Sequence, residues 1–246
     1  MEAFYFADDK RLYGAFSPAE GASRRHAVLV CNPLAHEAYK AHFVLRRLVE
    51  QLTDAGFDVL RFDYSGSGDS WGDLADVPQL KLDINDALVE LRELASADTI
   101  SVVAPRFAAA LVVGQDLANL TPGDHLVLWD PILDGDRYAD DLRQAHLSLV
   151  AKHTRASRDA RDSAMSGELL GMANSDRFLD SLRSESGALS ESVPVSCVLS
   201  ANQSLPSALS NADVINVEST CPWIDPDLRL MYNADVVRAL ETVLCR

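Results

Sequence analysis

The spacing of hydrophobic positions changes along the chain, and each change predicts an element. Phe4, Tyr5 and Phe6, the turn-like residues Ala7 to Lys10, then Leu12 to Phe16 predict a hairpin. Residues 27–31 form an unbroken apolar run of strand length, the pattern of a strand buried on both faces. Asn32-Pro33 ends it, because proline has no N–H for the ladder. From about residue 37 to 55 the period becomes helical. Val44, Leu48 and Leu52 recur every four residues beside Leu45 and Val49, and Gly56 supplies a stop. Residues 57–62 are the next strand, ending at Asp63 and followed by a Gly/Ser loop, 64–70. Ile84, Leu88 and Leu91 stripe a helix over 82–94. Residues 99–103 predict a strand, 107–120 a small-residue helix, and 126–129 another strand.

This alternation of strand and helix means a mostly parallel sheet with helices on both faces. Ligands of such sheets bind beyond the carboxyl ends of the strands. Four tips therefore matter: 32–37, 63–70, 104–108 and 130–134. Residues 136–190 break the pattern, being polar, helical in propensity and rich in Arg, Asp and Ser, with no strand. An excursion of that length between strands reads as an inserted helical cap. The core is then 1–135 and 191–246. Strands resume at 193–199 and 213–217, and a helix closes the chain at 234–244.

Charge narrows the partners. Lys and Arg number 22 against 37 Asp and Glu, a net −15 at neutral pH. The positive residues are scattered, so the basic stripe that nucleic acid or an anionic membrane needs is missing. No run of about 18 apolar residues predicts a membrane span, and the acids near the start argue against a signal peptide. A cytoplasmic protein is expected. Cys31, Cys197, Cys221 and Cys245 lie far apart, which fits reduced, mostly buried thiols. No helix carries His at i and i+4, and no dinucleotide loop is present, so neither metal nor cofactor is expected.

The loop Asp63-Tyr64-Ser65-Gly66-Ser67-Gly68-Asp69-Ser70, behind a hairpin, a strand, a polar loop and a helix, resembles the post-strand loop of the α/β-hydrolases. Asn32-Pro33-Leu34 with Glu37, the run Trp129-Asp130-Pro131-Ile132-Leu133-Asp134-Gly135 with Tyr138, and Gly167 to Gly171 resemble the exosortase-associated, serine-aminopeptidase-like branch. The resemblance implies the α/β-hydrolase fold with an eight-stranded sheet, and acyl transfer by Ser, His and an acid. At the position where it implies the nucleophile turn, this chain has Ala104-Pro105-Arg106-Phe107-Ala108. Arginine only donates and stays protonated, so it cannot attack an acyl carbon. The loop 201–204 has no carboxylate, and 218–225 has no His, the last histidine being His153. Trp223 stands where the resemblance implies the catalytic His.

Two readings follow. In one, the protein handles an acyl, ester or thioester substrate, free or carrier-bound, in a biosynthetic pathway. Arg106 anchors an anionic group through its guanidinium fork, and His36 or Asp130 carries the proton. Asn32, Leu34, Glu37, Pro105, Phe107 and Trp223 line the substrate. In the other, Arg106 fills the inherited site as part of an ion-pair cluster, facing His36 and Glu37 on one side and Asp130 on the other. The protein is then a non-catalytic relative that binds a ligand or a partner. Ser65, Ser67 and Ser70 have a turn-forming role that competes with any role as a displaced nucleophile. A homodimer is compatible with either reading.

Overall fold

The computed structural model describes residues 1–95, 97–113, 119–153, 168–173, 176–183, 185, 193–225 and 230–246. Its main sheet has eight strands: β1 (Glu2–Phe6), β2 (Leu12–Ser17), β3 (His26–Val30), β4 (Asp58–Phe62), β5 (Thr99–Pro105), β6 (His125–Trp129), β9 (Val195–Leu199) and β10 (Asp213–Asn216). The spatial order is β1-β2-β4-β3-β5-β6-β9-β10. β2 is antiparallel to both β1 and β4, and every pairing from β4 to β10 is parallel.

The apolar run of β3 sits near the middle of this sheet. Its residues alternate between two cores: Ala27 and Leu29 point to one face, Val28 and Val30 to the other. Helices α1 (His36–Asp54) and α6 (Ala234–Leu244) bury their stripes on the second face through Val44, Leu48, Leu52, Val237 and Leu240. Helices α2 (Val77–Leu94) and α3 (Ala108–Val113) cover the first through Ile84, Leu88, Ala109 and Leu111. The mostly parallel architecture with helices on both faces is the one the pattern predicts.

Differences are local. α2 begins at Val77, earlier than the stripe indicates, because Asp76 caps it by accepting from the Gln79 amide and Pro78 fits its first turn. The predicted helix 107–120 is described only as α3, and 114–118 lie outside the described residues. Within 136–190 the described elements are α4 (Gly135–His153), β7 (Glu168–Leu169), β8 (Met172–Ala173) and α5 (Asp176–Arg183). The rest of that stretch, including Gly167, lies outside the described residues. The expectation of no strand there is corrected by the β7–β8 hairpin. Two residues per strand are too few to register as alternation. The turn itself is specified by Leu170 and Gly171, both at positive φ (50° and 86°), the geometry of a tight two-residue hairpin. His146 of α4 holds this hairpin by accepting from the Leu170 amide at 2.9 Å.

Candidate functional site

The strand registers bring four tips to the same edge of the sheet. Val30 pairs with Val103, Pro105 with Trp129, and Trp129 with Val198. The residues that follow the ends of these strands, Cys31, Arg106, Asp130 and Ser200, therefore lie at one end of the sheet. Arg106 occupies a sharp bend between β5 and α3 with φ 55°. That left-handed conformation costs a non-glycine residue about 1–2 kcal/mol. Neighbours hold it: the Arg106 amide donates to the Trp129 carbonyl at 2.9 Å, and its carbonyl accepts from Ala109 and Ile132 at 3.1 Å each.

The Arg106 side chain is 2 % exposed. Its Nε donates to Glu37 Oε1 at 2.9 Å, and its Nη1 reaches the Gln203 side-chain oxygen at 3.3 Å and the Asp130 carbonyl at 3.4 Å. The guanidinium also lies over the Trp223 ring, 5.2 Å from its centre. Glu37 is completed by Tyr138 of α4, whose hydroxyl donates to Oε2 at 2.9 Å while its ring stacks on Phe107 at 4.8 Å. Burial opposes the charge of Arg106, but Glu37, with Tyr138 and Asp130, together raise the arginine above its ordinary value. Burial pushes the Glu37 carboxyl up, and Arg106 and Tyr138 pull against that push.

Asp130 departs from the predicted facing. Only its carbonyl meets Arg106. Its carboxylate turns away, accepting from the Ser200 amide and hydroxyl at 2.7 Å each and from the Trp223 indole N–H at 2.8 Å. The reason is local: Asp130 has φ 47°, and β9 presents a matched pair of donors beside it. Trp223, packed edge-on against Trp129, fills the space between. Its loop is tied to α1 by Lys40, a fully buried cation that donates to the Pro222, Trp223 and Asp225 carbonyls. His36 adds a fourth tie, its Nε2–H donating to the Trp223 carbonyl at 3.1 Å. Burial, with Lys40 beside it, lowers the His36 pKa to about 4.

Beyond these tips lies a cavity of about 740 Å³. Leu34, His36, the loop 64–68, Leu80 and the 170–172 hairpin wall it, with Phe178 of α5. Among the sequence-predicted site residues, Leu34 and His36 line this space, whereas Asn32, Glu37, Pro105, Arg106, Phe107, Asp130 and Trp223 do not. Asn32 instead links the β3 and β4 tips, donating to the Phe62 carbonyl and to Asp63 at 2.9 Å each. In the loop, Ser65 donates to Asp83 of α2 at 2.9 Å and Ser70 donates to the Asp63 carbonyl. Among the described residues, no group of His, Cys, Asp and Glu could hold a metal ion. Burial pushes the Cys31 and Cys197 thiols up to about 12 and Cys221 to about 11, so these three are unreactive.

Lys40, Ser200 and Gln203 are site residues that sequence reasoning did not single out, and Tyr138 entered it only as part of the resemblance, without a role. Lys40 had a signal: it precedes Val44, Leu48 and Leu52 at four-residue spacing, on the buried stripe of α1. Ser200 and Gln203 had none, since their partners are more than sixty positions away.

No protein-family model matches the chain, and no curated protein matches it. Solved structures do. An esterase from Exiguobacterium antarcticum superposes with a TM-score of 0.60 at 14 % identity, covering 100 % of both chains. A serine hydrolase without lid from Xanthomonas campestris superposes at 0.59 and 16 % identity, covering 96 % of this chain and 88 % of its own. Mouse α/β hydrolase domain-containing protein 10 superposes at 0.56 and 15 % identity, covering 99 % of this chain and 97 % of its own. The protein therefore has the α/β-hydrolase fold. No helix among the described residues is long and apolar enough to cross a membrane.

Proposed function

We propose that this is a non-catalytic protein on the hydrolase fold, binding a small molecule in the cavity at the β3 and β4 tips, with residues 136–190 as its cap. The observation that carries this reading is Arg106. It stands at the bend where the resemblance implies a nucleophile, it is buried, and its Nε is taken by Glu37. An acyl carbon brought to that bend meets a donor-only cation rather than a hydroxyl. The neighbouring positions support the same reading: Gln203 follows β9 and Trp223 follows β10, and neither takes or relays a proton.

The acyl-handling alternative needs Arg106 to receive an anion. Glu37 already holds Nε of that buried guanidinium, so an arriving anion would sit beside its carboxylate, an unfavourable like-charge contact. Tests on the intact protein separate the two. A fluorophosphonate probe is expected to leave every serine unlabelled, and p-nitrophenyl butyrate to hydrolyse at the background rate. Stoichiometric labelling of one serine would overturn the proposal.

A further inference from the structure

The second face of the sheet is open at the β1–β2 hairpin. Phe4, Phe6, Leu12 and Phe16 pack into the first core, so their neighbours Ala3, Tyr5, Tyr13 and Ala15 point to the other side. Ala3 and Tyr5 are exposed there, and Tyr13 and Ala15 are half-buried. Three aromatic rings gather on this face. Tyr5 lies 5.6 Å from Tyr13 and 6.5 Å from Trp71, ring centre to ring centre, with Tyr5 41 % and Trp71 68 % exposed. Single exposed aromatics are ordinary, but three together present a stacking surface.

Arg61 stands beside them. β4 sends Leu60 and Phe62 to the first core and Val59 to the second, so Arg61 also points to the second face. It pairs with Ala15 of β2, which pairs in turn with Ala3. Those side chains are too short to cover a guanidinium. The next row on the same face, about 7 Å along the strands, holds Tyr13 and Tyr5.

Among the described residues Arg61 has no ion-pair partner. Its Nη2 makes one long contact with the Asn32 side-chain oxygen, at 3.4 Å, and its Nε has no partner. Nη1 is neither hydrogen-bonded nor enclosed, and so faces the open side. The neighbouring acid, Asp63, accepts from the Asn32 side chain and the Asp69 N–H instead. Burial lowers the Arg61 pKa, and Asp63 offsets only part of that. On α1, burial holds the His42 pKa below its ordinary value, and Arg61 and Arg46 add to that push against the opposing pull of Asp63. The spot is therefore cationic on balance, even in a chain of net charge −15. A half-buried cation without a counter-ion is costly to a fold, and a missing ligand accounts for it.

We propose that this open face binds an aromatic anion, its ring on the Tyr5, Tyr13 and Trp71 cluster and its carboxylate or phosphate on Arg61. Guanidinium matches either group. The site lies on the opposite face of the sheet from Leu34, Tyr64 and Leu80 of the cavity wall, so it stands whatever the cavity holds.

Isothermal titration calorimetry tests it with four probes: 1-naphthoate, 1-naphthyl phosphate, 1-naphthol and inorganic phosphate. One or both naphthyl anions are expected to bind roughly tenfold or more tightly than 1-naphthol and inorganic phosphate, and their ratio tells carboxylate from phosphate. Arg61→Met should weaken the preferred anion roughly tenfold, while the melting temperature stays the same or rises because an unpaired charge is gone. A structural arginine would do the reverse. Trp71→Ala, at an exposed side chain, should weaken binding several-fold and spare the fold. Equal binding of 1-naphthol and the naphthyl anions overturns the proposal, as does unchanged affinity in Arg61→Met. An Arg61→Met protein that melts lower or fails to fold assigns the side chain to the fold and overturns it equally.

Discussion

The β5–β6 tips and the β3–β4 tips lie side by side and are finished in opposite ways. At β5–β6 every charged side chain described here is matched: Arg106 by Glu37, and Asp130 by Ser200 and Trp223. At β3–β4 the loop is equally well tied, through Asp83 and Asn32, yet it walls an open cavity. The lesson is that a filled tip and an open one can stand side by side on the same sheet, each with its own set of ties.

Substitutions can break that contrast. Arg106→Ala should have the largest effect, about 3–5 kcal/mol of stability in urea unfolding, because it leaves Glu37 buried without its cation. The double change Arg106→Met with Glu37→Leu should cost less than Arg106→Ala alone, since it removes both charges. A double change that cost the sum of its parts would show that the two side chains do not act as a pair.

His36 sharpens the boundary between the regions. Its folded pKa, about 4, lies below the ordinary histidine value, so the unfolded chain takes up the proton first. Its contribution is present above about pH 6.5 and is lost as pH falls towards 4, a loss of roughly 3 kcal/mol at most. His36→Gln should remove that part of the pH dependence; parallel stability–pH curves for the two proteins would contradict it. On the cavity side, Gly66→Ala should cost about 2 kcal/mol, because φ is 71° and a Cβ would meet the Asp73 carbonyl. The smallest expected effect is that of Ser65→Ala, about 1 kcal/mol, with one hydroxyl lost from Asp83. Thermal and urea unfolding measure both.

Elements set by local period were legible in the sequence. The alternation of β3, the four-residue stripe of α1 and the strand–helix order all depend on neighbours a few positions apart. That Arg106 meets Glu37 was also legible, because strand adjacency follows from the topology. The rotation of the Asp130 carboxylate towards Ser200 was not, since it depends on a side-chain choice between two sets of donors. Nor was the position of the cavity, which is walled by the 170–172 hairpin, too short to show a period.

The bond between Glu37 and Tyr138 makes position 106 part of a three-element joint. Placing serine there would strip Glu37 of its cation and leave the Tyr138 hydroxyl as the one partner of an acid in the protein interior. The bend after β5, the start of α1 and the face of α4 would therefore tolerate change only in concert.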